Sequence, residues 1–218
     1  PFMYKNGTMK DAQKCRMSNY EALKHGSLAM GYIGIAEMCQ ALFGKNHAED
    51  EEVHKFALSV VKRINEYAKE ASERNDLNFS CYATPAEGLS GKFTERDRKE
   101  FGEIVGVTDR NYYTNSNHVP VYYKCTAKHK AEIECPYHKF TRGGHIFYVE
   151  VDSDITKNLE VIDGIVKMGI KNDCGYISVN HFQARCPKCN FEANDKFVKE
   201  CPYCHIGMDI LQRITGLS

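Results

Sequence analysis

Residues 145–181 read HIFYVEVDSDITKNLEVIDGIVKMGIKNDCGYISVNH. The opening HIFYVEVD is rich in aromatic and β-branched side chains and predicts a strand over 145–152. Leu159, Ile162, Ile165 and Val166 then recur at helical spacing within 156–169. YISVNH, at 176–181, returns to the strand pattern. Strand, helix, strand in that order favours a parallel βαβ crossover, and with it an α/β fold class.

Working outward, three more short runs read as strands: NFSCYAT (78–84), HVPVYYK (118–124) and AEIEC (131–135). SLAMGYIGIAEMCQALFG, at 27–44, is mostly apolar, stops at Gly44 and predicts a largely buried helix. Val53, Phe56, Val60, Ile64, Tyr67 and Ala71 recur at three- and four-residue steps, an amphipathic helix running to about Arg74 with acids in its first turns. The stretch up to about Lys24 is polar and irregular. The sequence opens at Pro1, which reads as a fragment or processed piece of a longer protein.

Composition narrows the function classes. Lys+Arg and Asp+Glu both number 29 in 218 residues, so no long-range pull toward nucleic acid or an anionic membrane is expected. No apolar run approaches a membrane span, and no secretion signal opens the sequence. Ten cysteines without such a signal point to a reducing, cytoplasmic setting, where thiols bind metal, do chemistry or pack as small apolar groups.

Four of the ten form the array Cys186-Pro-Lys-Cys189 and Cys201-Pro-Tyr-Cys204. Each pair makes a tight knuckle offering two thiolates from one side, and a hairpin return brings the second knuckle opposite. Closed tetrahedral coordination of structural Zn²⁺ by four sulfurs follows. An iron–sulfur cluster or two disulfides are the competing readings, and His205 adjoins the last cysteine as a further donor. Zinc ribbons often bind nucleic acid, but Arg185, Lys188, Lys196 and Lys199 are interleaved with Glu192, Asp195 and Glu200, so no basic stripe forms. The other six cysteines, Cys15, Cys39, Cys81, Cys125, Cys135 and Cys174, show no ligand spacing.

Several stretches together resemble the anaerobic (class III) ribonucleoside triphosphate reductases. They are HGSLAMGYIGIAEMCQALFGKNHAE (25–49), LNFSCYATPAEGLSGKF (77–93), GVTDRNYYTNSNHVPVYY (106–123), CPYHKFTRGGHIFYVEVD (135–152) and the terminal cysteine array followed by RITG (213–216). The resemblance covers nearly the whole chain and implies the C-terminal part of a glycyl radical enzyme. The implied fold is part of the ten-stranded α/β barrel shared by ribonucleotide reductases and pyruvate formate-lyase. Residues 1–183 would belong to the barrel, and 184–218 to a four-cysteine zinc-binding and glycyl radical segment.

The resemblance places the radical on Gly216. The residue type suits that role, because an α-carbon radical is stabilised by delocalisation into both flanking planar peptides, and only glycine has no Cβ to oppose it. A zinc clasp just upstream would aim such a tail. In the family, a radical S-adenosylmethionine activating enzyme with an iron–sulfur cluster abstracts the glycine hydrogen. The resulting glycyl radical generates a thiyl radical on a loop cysteine, expected upstream of this chain. That thiyl radical removes the ribose 3′-hydrogen of a ribonucleoside triphosphate. The implied partners are the activating enzyme, the rest of the reductase chain and a second copy in a homodimer. A separately made module completing a larger reductase is the alternative, and a zinc-ribbon nucleic-acid binder is a third. Leu217 follows Gly216 where the family usually has an aromatic residue.

Other candidates lie upstream of the array. Glu87 would follow a strand and could act as general acid/base at ribose hydroxyls or be a solvated loop residue. Asn115, Ser116 and His118 precede a predicted strand and could contact substrate or cap a turn. His138 and His145 flank KFTRGG, whose glycines permit close backbone approach, and read as core or wall histidines.

Overall fold

A computed structural model describes residues 24, 26–151, 158–181, 183–193 and 198–211. Gly216, Leu217, Cys15 and the polar stretch before Lys24 lie outside the described residues.

The apolar run at 27–44 is two elements rather than one helix. Strand β1 (Ser27–Tyr32) ends just before Gly34, which sits in the left-handed region at φ 74 and turns the chain into helix α1 (Ile35–Phe43). A run that is apolar throughout has no polar face to distinguish period 2 from period 3.6, so the sequence hides the break. Gly31 is fixed by proximity, since a Cβ there would overlap Thr84 Oγ1.

Asp50 then caps helix α2 (Glu51–Asn75), its carboxylate accepting the Glu52 and Val53 N–H groups. α2 is amphipathic as expected, but it buries Val53, Ala57, Val61, Asn65, Ala68 and Ala71. Of the expected stripe only Val53 and Ala71 are buried; Val60 and Ile64 are half-buried, and Phe56 and Tyr67 are exposed, because the small Ala57 and Ala68 one position on let the helix pack closely. It leads to strand β2 (Asn78–Ala83), which pairs parallel to β1 from Ser27↔Asn78 to Tyr32↔Ala83. Ser72 Oγ accepts the Phe79 N–H at 2.9 Å and pins the helix end to β2. Helix α3 (Glu87–Phe101) follows, taking in Glu87 and the residues around it that read as a loop in sequence.

Two predicted strands are absent. Residues 118–124 form turns: the His118 N–H donates to Asn115 O, the Tyr123 N–H to Pro120 O, and the Val119 N–H to Glu134 Oε1. With these donors committed and Pro120 offering none, no ladder can form. Residues 131–135 belong to helix α4 (Ala127–Glu134) and the 3-10 turn Cys135–Phe140. Thr126 caps α4 through the His129 N–H, and Lys128–Glu132 and Lys130–Glu134 stand at i,i+4. The five-residue window catches the apolar alternation and misses this cap.

The βαβ unit forms as expected. Strand β3 (Phe147–Val151), helix α5 (Leu159–Lys171) and strand β4 (Ile177–His181) follow in order, with β3 and β4 parallel from Phe147↔Ile177 to Val151↔His181. Between the two parallel pairs, Gly143 and Gly144 run along β2: the Gly143 N–H donates to Cys81 O, and the Ala83 N–H to Gly144 O.

Two cores result. One joins Tyr32, Ile35, Cys39, Val53, Ala57, Val61, Cys81 and Tyr137; the other joins Ala131, Cys135, Phe147, Val149 and Ile165. A small antiparallel sheet, β5 (Gln183–Arg185) between β6 (Glu192–Ala193) and β7 (Asp209–Leu211), carries the cysteine array. Among the described residues, no helix is long and apolar enough to cross a membrane.

Candidate metal centre and the polar core

The two cysteine pairs fold into knuckles with the same backbone pattern. In the first, the Cys186 N–H donates to Phe191 O at 2.8 Å and the Asn190 N–H to Cys186 O at 3.0 Å. In the second, the Cys201 N–H donates to Ile206 O at 2.9 Å and the His205 N–H to Cys201 O at 2.9 Å. Asn190 and His205 take left-handed φ values of 60 and 52, so each chain reverses directly after its second cysteine. Strands β5, β6 and β7 bring the knuckles face to face.

The four sulfurs all lie within 4.8 Å of one another, with Cys189 and Cys201 Sγ at 3.6 Å. A tetrahedron with metal–sulfur bonds near 2.3 Å has edges of about 3.8 Å, so the donor set fits one soft dication. Its electrostatics agree. The Cys189 thiol, and then burial, push the Cys204 thiol up to about 12. Four thiolates cannot ionise together without a cation to offset them. His205 is not a donor to this group; its Nδ1 lies 3.3 Å from Glu200 Oε1 on the exposed side.

The segment Thr114–His118 lies in a buried polar core. Thr114 O accepts the Gly34 N–H and Ser116 O the Ile35 N–H, so the segment closes the N-terminus of α1. Thr114 donates twice to Glu37 Oε1, at 3.0 Å from its N–H and 2.7 Å from its hydroxyl. Glu37 is 3% exposed, its Oε2 has no partner, and burial raises its carboxyl pKa despite the Thr114 bonds. Asn115 is also buried, with Oδ1 unpartnered, and Ser116 holds a left-handed φ of 43.

His118 Nδ1 donates to Glu134 Oε2 at 2.9 Å, and Lys130 Nζ stands 3.7 Å from Oε1. Burial alone would raise the Glu134 carboxyl, but His118 and Lys130 outweigh it and hold it below the usual range. Tyr32 OH donates to Asn117 Oδ1 at 2.6 Å and His47 Nε2 to Asn117 O at 3.1 Å.

Glu87 is exposed at the start of α3. Ala86 and Glu87 hold left-handed φ values of 41 and 28, a strained pair at the end of β2.

The structure also assembles a group that spacing could not reveal. Cys135, His138 and Cys174 each offer an atom within 4.8 Å of the others. Cys135 begins the turn after α4 and Cys174 lies in the turn after α5, so only the packing of the βαβ unit unites them.

Parallel strand pairs with crossover helices, carrying a four-cysteine ribbon, define an α/β protein with a candidate metal site. The chain belongs to the anaerobic ribonucleoside-triphosphate reductase family, whose model matches residues 1–217. It is 32% identical over 210 residues to the anaerobic ribonucleoside-triphosphate reductase of Salmonella typhimurium strain LT2, covering 94% of this chain and 29% of that protein. It is 32% identical over 191 residues to the enzyme of the same name from Enterobacteria phage T4, covering 87% of this chain and 30% of the relative. Among solved structures it resembles an anaerobic ribonucleotide reductase with TM-score 0.73 at 20% identity, over 95% of this chain and 33% of that one. The Thermotoga maritima anaerobic ribonucleotide reductase with MES in the active site gives TM-score 0.71 at 21% identity, over 96% of this chain and 35% of that one. The chain thus spans about a third of the length of these relatives.

Proposed function

We propose that this chain is the zinc- and glycyl-radical-bearing part of an anaerobic ribonucleoside-triphosphate reductase. The observation that carries this reading is the family match over residues 1–217 with a four-cysteine cluster ending twelve residues before Gly216. On this reading residues 1–183 contribute strands and helices to a ten-stranded barrel, and 184–218 form the zinc and radical segment. The substrate is a ribonucleoside triphosphate. The partners are a radical S-adenosylmethionine activating enzyme, the remainder of the reductase and a second copy of the chain.

Cys186, Cys189, Cys201 and Cys204 would hold the Zn²⁺, which supplies a rigid, coordinatively closed support and no open position for chemistry. This chain's own residues then divide the work. Gly216 carries the radical, glycine being the one residue type without a Cβ to oppose a planar α-carbon radical. Glu87 serves as acid/base at the ribose hydroxyls, its strained backbone supporting a functional position. Asn115, with a bare buried acceptor, supports a hydrogen bond to substrate, while Ser116 shapes the turn. His118 commits Nδ1 to Glu134 and so orients the segment.

Anaerobic electron paramagnetic resonance tests the reading. The zinc-loaded chain is mixed with the activating enzyme, S-adenosylmethionine and a reductant, alone and with the remaining portion of a family reductase. A doublet lost in Gly216→Ala is expected. Silence in both mixtures would overturn it.

A further inference from the structure

We propose that Cys135 and Cys174 form a thiol–disulfide exchange site, in which Cys174 attacks a low-molecular-weight disulfide and Cys135 resolves the adduct. The proposal does not depend on the reductase reading.

The two thiols differ in access. Cys135 is 1% exposed, packed with Ala131, Phe147, Val149 and Ile165, while Cys174 is half-buried in the turn that follows α5. An accessible thiol beside a buried one is the arrangement in which the first is attacked and the second closes the bond. Their electrostatics match these roles. Cys135 donates to Cys174, His138 adds a second favourable contact, and together they hold the Cys174 thiol well below its usual range against the effect of burial. The same pairing, with burial, raises Cys135.

His138 decides between exchange and metal binding. The Gly175 N–H donates to His138 Nδ1 at 3.0 Å, so the one lone pair of the neutral ring is spent on the backbone. The proton then sits on Nε2, and the ring acts as a hydrogen-bond donor rather than a metal ligand. His145 fixes it from the other side: the rings stack with centroids 4.0 Å apart, and His145 Nδ1 is tied to Thr141 O at 2.9 Å. Gly175 leaves room for this stack, since a Cβ there would overlap His145 Nε2.

The chemistry balances in two steps. The Cys174 thiolate attacks one sulfur of RSSR, forming a Cys174–SR bond as the RS–SR bond breaks and one thiolate leaves. Cys135 then loses its proton to that departing thiolate and attacks Cys174 Sγ, forming the Cys135–Cys174 bond and expelling the second thiolate, which takes up a solvent proton. The chain is oxidised by two electrons and the disulfide is reduced to two thiols. Excess thiol reverses both steps.

Oxidised glutathione is the probe, added without oxygen to the zinc-loaded full chain. Acid quenching, N-ethylmaleimide blocking and non-reducing peptide mass spectrometry then locate every bond. The expected product is a peptide pair joined through Cys135 and Cys174. Cys135→Ser should hold a stable glutathione adduct on Cys174, and Cys174→Ser should leave Cys135 reduced. His138→Gln should slow exchange about tenfold at neutral pH and shift its pH profile upward. If the wild-type chain instead keeps both thiols free while other cysteines react, the proposal fails. It fails equally if the wild-type chain binds two zinc ions and Cys135→Ser binds one. The first of these readings is made on the wild-type protein alone, so a poorly folded variant does not protect the proposal.

Discussion

Asn190 and His205 occupy the same left-handed position in the two knuckles, each directly after the second cysteine and each sending its N–H back to the first. Asparagine adopts this conformation readily, whereas a branched side chain costs on the order of 1–2 kcal/mol. His205→Gly should therefore keep or slightly tighten zinc binding. His205→Val should weaken it about tenfold, and competition with a chromophoric chelator measures both. Equal affinities would mean that the turn does not set the clasp.

Metal removal should act locally. Among its described residues the ribbon buries only Cys186, Ala184 and Cys201, so a metal held by the four cysteines is expected to supply its order. The strand pairs β1–β2 and β3–β4 have separate apolar cores. Chelation, or Cys201→Ser, should abolish amide protection at 183–193 and 198–211 while leaving that of α2 and β2 intact. Hydrogen exchange read by mass spectrometry separates the two regions.

His47 should dominate the acid limb of stability. Its Nε2 donates to Asn117 O, its Nδ1 is buried without a partner, and burial lowers its pKa to about 4. The unfolded ring titrates near 6.5, so between these values the unfolded chain binds the extra proton. Stability is full above about pH 6.5 and falls as pH drops toward 4, by on the order of 3 kcal/mol. His47→Gln keeps a donor toward Asn117 and should flatten this limb. Urea unfolding at several pH values between about 7 and 4.5 checks it. An unchanged slope would point to other groups, His54 first among them.

How far the sequence can be read depends on how local each determinant is. The helical period of α2, the βαβ order at 145–181 and the paired knuckles are written in neighbouring residues and form as expected. The buried face of α2, however, runs through Ala57, Val61, Asn65 and Ala68 rather than Phe56, Val60, Ile64 and Tyr67. Stretch 27–44 misleads because the strand-to-helix break rests on the φ of Gly34 inside an unbroken apolar run. AEIEC misleads because its helix starts at Thr126, outside the strand-like window. Asn115, Ser116 and His118 stand out in sequence as polar groups before an expected strand. Glu37, which accepts from the adjoining Thr114, and Glu134, the partner of His118, come from distant elements and cannot be inferred from spacing. Cys135 and Cys174 meet only through packing.

Gly143 is where two glycines in the sequence should part company energetically. It runs against β2, and a Cβ there would lie 2.8 Å from Cys81 O, a backbone atom that cannot swing aside without breaking the Gly143 N–H bond to it. Gly164 lies within α5, where a Cβ would meet nothing within 4 Å. Gly143→Ala should therefore destabilise by about 1–3 kcal/mol, as an overpacked site does. Gly164→Ala should stabilise by about 0.5–1 kcal/mol by restricting the unfolded chain and favouring helix. Denaturant midpoints at constant slope give both numbers. Because Gly143 and Gly144 connect β2 to the turn bearing His138 and His145, loss at position 143 should also loosen exchange protection around β3. If the two substitutions cost the same, close approach at β2 is not what keeps Gly143 a glycine.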